Sequence, residues 1–220
     1  AYHITQPIIT KTDKEDYKTV FSDSIMLNVS RGCTRGCRFC MSSYLYRPLR
    51  ETTIKELVNI ALKTRENTNL NKITLIGAAV GDYYDLEGLT KALESEGFQI
   101  ATPSLRIDSL SRETLETLKK SGLKSITIAP ESISTLRERI NKSISDEKIF
   151  SVIKNAVDLD FNIKLYFLIG IPYESKEDIE ELANYIEKIA NMHKNRNYIK
   201  FSINPVIPKP QTPLQWEVYN

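Results

Sequence analysis

Residues 30–42 read SRGCTRGCRFCMS, and Cys33, Cys37 and Cys40 within them are the only 3 cysteines among 220 residues. The whole cysteine complement in one C-x-x-x-C-x-x-C run points to a shared ligand. Thiolate rather than thiol binds metal, so the loop must favour the ionised form. Arg31, Arg35 and Arg38 bring positive charge to the sulfurs, and Gly32 and Gly36 free the backbone to wrap them. Three thiolates can hold three irons of a cubane 4Fe–4S cluster, leaving the fourth iron open for chemistry; an electron-transfer ferredoxin would add a fourth thiolate. Structural zinc commonly takes four ligands in two short pairs. Here there is no fourth cysteine, and His3 and His193 are distant in sequence. Three cysteines cannot all pair as disulfides, and nothing resembles a secretory signal.

Outward from the loop, the composition is that of a soluble globular chain, 41% hydrophobic and 26% charged. A net charge of +2 gives no electrostatic footprint for nucleic acid. The longest apolar runs, 73–80 and 165–172, are too short to span a membrane. Free thiols and an oxygen-sensitive cluster point to a reducing, anaerobic cytoplasm. Residues 1–24 carry little periodicity and read as a linker or wrap-around segment, 25–205 as the core, and 206–220 as a proline-rich exit segment. The start at Ala1 and the stop at Asn220 read as an excerpt of a longer polypeptide.

Within the core, short apolar runs alternate with amphipathic helices. Strands are expected at 25–29, 72–76, 98–102, 125–129, 162–169 and 198–203. Helices are expected near 54–62, 86–95, 111–122, 135–140 and 146–159. Ser175 and Asp178 form a capping box before a last helix, whose buried stripe reads as Ile179, Leu182, Ala183, Ile186 and Ala190. Six strand–helix steps argue for an α/β fold with a parallel sheet, because parallel neighbours need crossover connections. Six is two short of a closed eight-unit barrel, which gives a partial (β/α)6 TIM-like barrel. Ligands of such folds sit at the C-terminal ends of the strands, where the cysteine loop also emerges.

The cysteine spacing, with Phe39 before the third cysteine, resembles the signature of radical S-adenosylmethionine (SAM) enzymes. SRGCTRGCRFCMSSYLYRPLRE, PSLRIDSL, IAPESISTLRERINKSIS, IGIPYESKEDI and VIPKPQTPLQW together resemble cobalamin-binding-domain radical SAM proteins, collinearly from Ile25 to Trp216. The resemblance implies a 4Fe–4S cluster on the three cysteines and SAM at the open iron. Reductive cleavage would then give a 5′-deoxyadenosyl radical. Gly77, Ala78 and Ala79 stand where the family's glycine-rich element meets the SAM amino group, although its usual Gly-Gly-Glu is absent. Glu131 corresponds to a carboxylate on the ribose hydroxyls, and Lys142 to the partner of the SAM carboxylate, with Arg137 and Arg139 turned to solvent. Leu168 and Gly170 belong to the adenine-side element, with Phe39 near the same base. Arg106, past the third strand, is either a further contact or a surface ion pair.

The same resemblance implies an upstream cobalamin domain, methylation of an unactivated carbon and a one-electron reductant of ferredoxin or flavodoxin type. The substrate is not legible. A methylthiotransferase acting on tRNA or protein is the alternative enzyme, and a structural iron–sulfur or zinc module the alternative without catalysis.

Overall fold

The first core strand hands the chain directly to the cysteine loop. The computed structural model describes residues 8–9, 23–194 and 198–218. Strand β1 (Ile8–Ile9) lies antiparallel to β2 (Ile25–Asn28), so part of the expected linker adds a sheet edge. The rest of that segment up to Ser22 lies outside the described residues. Then come β3 (Ser30–Arg31), a one-turn helix α1 (Ser42–Leu45), β4 (Arg50–Glu51), α2 (Ile54–Thr68), β5 (Lys72–Ile76) and α3 (Leu86–Ser95). The second half runs β6 (Gln99–Ala101), α4 (Arg112–Lys120), β7 (Ser125–Glu131), α5 (Ser134–Arg139), α6 (Asp146–Asp158), β8 (Asn162–Ile169), α7 (Lys176–Ala190) and β9 (Ile199–Pro205).

Strands β2, β5 and β6 are parallel, as are β7, β8 and β9. A parallel bridge between Leu105 and Ile128, with Leu105 N donating to Thr127 O at 2.9 Å, joins the two sheets. Six parallel strands thus form one curved wall, and among the described residues no ladder joins β9 back to β2. This is the expected partial barrel. Alternation sets the faces: Ile163, Leu165 and Phe167 of β8 are buried, whereas Lys164 is exposed. Each fully buried residue of this kind contributes about 1.5–3 kcal/mol of hydrophobic stabilisation.

Side-chain caps fix where the helices begin. Thr53 with Glu56, and Ser175 with Asp178, form capping boxes at α2 and α7; Asp85, Ser111 and Ser145 cap α3, α4 and α6. Two expectations are corrected. Of the stripe read for α7, Leu182 is buried and Ile186 and Ala190 are half-buried, whereas Ala183 is exposed and Ile179 40% exposed; Ile189, buried, and Tyr185, half-buried, take their places. The helix is rotated because Tyr185 packs against Phe150 and Phe167, and its hydroxyl donates to Asp146 Oδ1 at 3.0 Å. Arg137, expected to face solvent, is 0% exposed and donates to Ser132 O, Ile144 O and Asp146. The β3–β4 hairpin was not expected, since two-residue strands leave no period to read. Among the described residues, no helix is long and apolar enough to cross a membrane.

Candidate active site

The cysteine loop is braced from outside itself. Gly32 sits at φ +91° beneath the hairpin, where a Cβ would come within 2.2 Å of Tyr46 O and 2.7 Å of Pro48 O. Arg38 N donates to Ile140 O at 2.9 Å. Asn141, in the left-handed region at φ 53°, donates from its amide to Gly36 O at 2.9 Å and Arg35 O at 3.2 Å. The residues after α5 therefore clamp the loop whose far side carries the sulfurs.

Cys33, Cys37, Cys40 and Phe39 line one cavity of about 280 Å³ together with Gly77, Ala78, Ala79, Arg106, Glu131 and Lys142. It opens at the C-terminal ends of β2, β5, β6 and β7, as the topology requires. Gly77 is packed close, since a Cβ there would lie 2.9 Å from Ser30 Oγ. Leu168 and Gly170 do not line this cavity. Leu168 meets Phe39 in an adjoining hollow of about 190 Å³ with Pro205, Val206, Ile207 and Lys209. Gly170 lies in a third hollow beside Tyr173 and Glu174, and its amide donates to Glu174 Oε2 at 2.5 Å. Phe39 is thus the partition between the cysteine cavity and the Leu168 hollow.

The polar wall of the cavity is fully cross-linked. Lys142 Nζ donates to Glu131 Oε1 at 2.5 Å, with both side chains buried. Burial pushes the Glu131 carboxyl up, against the opposing charge and hydrogen bond of Lys142. Glu131 also has a φ of 71°, just past a register shift in the β7–β8 ladder. Strain of this kind in a non-glycine residue costs about 1 kcal/mol or more and gathers where function holds it.

Arg106 is only 14% exposed and makes two bonds to Asp108, at 2.9 and 3.0 Å. Its Nη1 also lies 3.9 Å from Cys37 Sγ, so Arg106 lines the cavity and does not form a surface pair. Asp82 completes the network: Arg35 donates to it at 2.7 and 2.9 Å, and Arg106 lies 3.6 Å from it. Of the three arginines expected around the sulfurs, Arg35 alone lines the cavity. Burial raises the Cys37 thiol, and the Lys142 and Arg106 charges oppose that rise.

These features fit a cluster. All three cysteines line one cavity, as thiolates that each bind a different iron of one cluster would require. Among the described residues, no three His, Cys, Asp or Glu side chains gather tightly enough for one ion. The cations Lys142 and Arg106 favour thiolate, and Ser43 Oγ donates to Cys33 Sγ at 3.6 Å. Sequence reading missed Asp82, Asp108, Asn141 and Ser43. Asp82 and Asn141 find their partners 47 and 105 residues away, and the nearer pairings of Asp108 with Arg106 and of Ser43 with Cys33 carry no motif that marks them.

An uncharacterized protein of Methanocaldococcus jannaschii is 37% identical over 220 residues, which cover 97% of this chain and 47% of that protein. Cytidylyl-2-hydroxyethylphosphonate methyltransferase of Streptomyces wedmorensis is 28% identical over 77% of this chain and 34% of its own. A tRNA-2-methylthio-N(6)-dimethylallyladenosine synthase of Ehrlichia canis is 24% identical over 97% of this chain and 52% of its own. The chain therefore spans about half or less of each of these relatives. In fold it is similar to the radical S-adenosylmethionine methyltransferase TsrM from Kitasatospora setae, solved with cobalamin and a 4Fe–4S cluster. The TM-score is 0.70 at 11% identity, covering 87% of this chain and 38% of that one. The model of the Radical SAM superfamily matches residues 27–186, well over half of the sequence, and the chain belongs to that superfamily.

Proposed function

We propose that this chain is the core of a radical SAM methyltransferase that works with cobalamin on an unactivated carbon, in a reducing cytoplasm. When bound, the cluster and SAM supply on one-electron reduction a 5′-deoxyadenosyl radical able to abstract hydrogen, and methylcobalamin would supply the methyl group. The observation that carries the reading is the meeting of Cys33, Cys37, Cys40, Glu131 and Lys142 in one cavity.

In this reading Glu131 accepts from the ribose hydroxyls and Lys142 donates to the methionine carboxylate. The two hold each other at 2.5 Å, so neither charge is buried alone. Gly77 to Ala79 present backbone to the amino group, and Phe39 with Leu168 forms an apolar shelf for the adenine. Arg106 steadies the Cys37 sulfur.

The methyltransferase reading is supported by the phosphonate methyltransferase relative and by the TsrM-like fold. The tRNA methylthiolating relative favours methylthio transfer as the second reading. Full-length protein tested for cobalamin binding separates them. The account expects one corrinoid per chain and turnover that depends on it. Absent binding, or equal turnover without cobalamin, removes the methyltransferase assignment and leaves the radical SAM assignment standing.

A further inference from the structure

We propose that Arg106 and Ser43 set the reduction potential of the cluster, raising it through hydrogen bonds to two of its three ligand sulfurs, and that Asp108 limits the rise. The proposal rests on the reading above, since it takes Cys33, Cys37 and Cys40 as the ligands. A cluster that gains one electron gains one negative charge. Donors and cations beside the sulfurs therefore favour the reduced form, and carboxylates disfavour it.

The Arg106 fork is fully committed. Nε and Nη2 donate to Asp108 at 3.0 and 2.9 Å, on the edge that would otherwise clamp a ligand's carboxylate. Nη1 is left, and lies 3.9 Å from Cys37 Sγ. Backbone packing fixes where this arm starts. Gly81 lies so close that a Cβ there would come within 2.8 Å of Arg106 N and 2.6 Å of Ser109 Oγ. Ser109 Oγ in turn donates to Arg106 O at 2.9 Å. Backbone and fork together hold the guanidinium toward the sulfur.

Ser43 supplies the second donor, from α1. Its side chain is buried, and among the described residues Cys33 Sγ is the hydroxyl's one hydrogen-bond partner, at 3.6 Å. A buried hydroxyl that meets only sulfur is offset better by a thiolate than by a thiol, because an ionised acceptor makes the stronger bond.

Charge sets the balance. Arg35 and Arg106 share Asp82 and Asp108 in one network, with Arg35 bonding both carboxylates and Arg106 lying 3.6 Å from Asp82. Two cations against two anions leave no net charge, so a directed N–H acts on the sulfur more than a field does. Removing one carboxylate leaves a net positive charge in a wall where screening is weak. The two ends of the Arg106–Asp108 bridge should thus shift the potential in opposite directions. A role confined to holding the loop would make both changes act alike.

The test uses full-length protein, reconstituted anaerobically and free of SAM. It is titrated with dithionite through mediator dyes while the paramagnetic signal of the reduced cluster is read. Dithionite is oxidised by one electron for each cluster reduced, and no bond to the protein forms. Arg106→Gln should make reduction about tenfold less favourable, a midpoint lower by about 59 mV for one electron. Ser43→Ala should lower the midpoint by less, because only a neutral donor is lost. Asp108→Asn should raise it, because the amide oxygen still accepts from Nε while the negative charge is gone. Midpoints of Arg106→Gln and Ser43→Ala that both equal wild type overturn the proposal. So does an Asp108→Asn midpoint that falls together with that of Arg106→Gln, which would leave the network a structural brace. If Arg106→Gln loads no iron, the directions of Ser43→Ala and Asp108→Asn decide the matter in the same way. Failure of the wild type to assemble any cluster registers earlier, in the iron assay, and overturns the reading beneath the proposal as well.

Discussion

Lys142 Nζ and Glu131 Oε1 stand 2.5 Å apart in the wall of the cysteine cavity, with both side chains buried. A buried pair is hard to break from one side, because the remaining charge has no water to turn to. Glu131→Gln or Lys142→Met alone should each cost about 3–5 kcal/mol in denaturant unfolding. The double variant should cost clearly less than the sum. Each single change should also weaken SAM binding by roughly 1.5–3 kcal/mol, read by anaerobic calorimetry. Unchanged SAM affinity in both would show that the pair is structural only.

Arg137 makes the opposite prediction. Its guanidinium ties Ser132 O and Ile144 O to Asp146, joining α5 to α6 and, through Tyr185, to α7. Arg137→Met should destabilise the fold by about 1–3 kcal/mol for each of the two carbonyls, Ser132 O and Ile144 O, that it leaves unsatisfied. SAM affinity of the molecules that remain folded should not move. A selective loss of affinity would place Arg137 in the binding machinery.

Glu174 supplies a pH signature. Burial pushes its carboxyl above the ordinary range, against the hydrogen bond it accepts from Gly170 N. A raised carboxyl binds its proton more tightly folded than unfolded, so its contribution to stability is fullest below the unfolded value, near 4.3, and is lost as pH rises through the folded value. Glu174→Gln copies the protonated form. The stability difference, wild type minus variant, should therefore shrink between pH 4.5 and pH 7.5 in urea titrations. A difference that grows over that range would reverse the assigned direction.

The legible parts of this fold are those with local signals. The strands at Lys72–Ile76 and Asn162–Ile169 and the helix at Leu86–Ser95 keep the bounds read from the sequence, because apolar runs there end at turn or capping residues. That the three cysteines, Glu131 and Lys142 line one cavity could be expected, because each sits in a contiguous motif. The Asp82–Arg106–Asp108 network and the Asn141 clamp could not be: Arg35 meets Asp82 across 47 residues and Asn141 meets Gly36 across 105. No short-range period encodes such pairs. The phase of α7 failed for a related reason. One aromatic, Tyr185, finds a polar partner on α6 and turns the helix with it.

The most direct test of the central claim is formation of 5′-deoxyadenosine by the full-length protein after anaerobic reconstitution, with SAM and a chemical reductant. The account predicts about four irons per chain, 5′-deoxyadenosine and methionine in equal amounts, and neither product from Cys33→Ala, Cys37→Ala or Cys40→Ala. Stoichiometric zinc without iron uptake, or undiminished 5′-deoxyadenosine from any of the three variants, would contradict it.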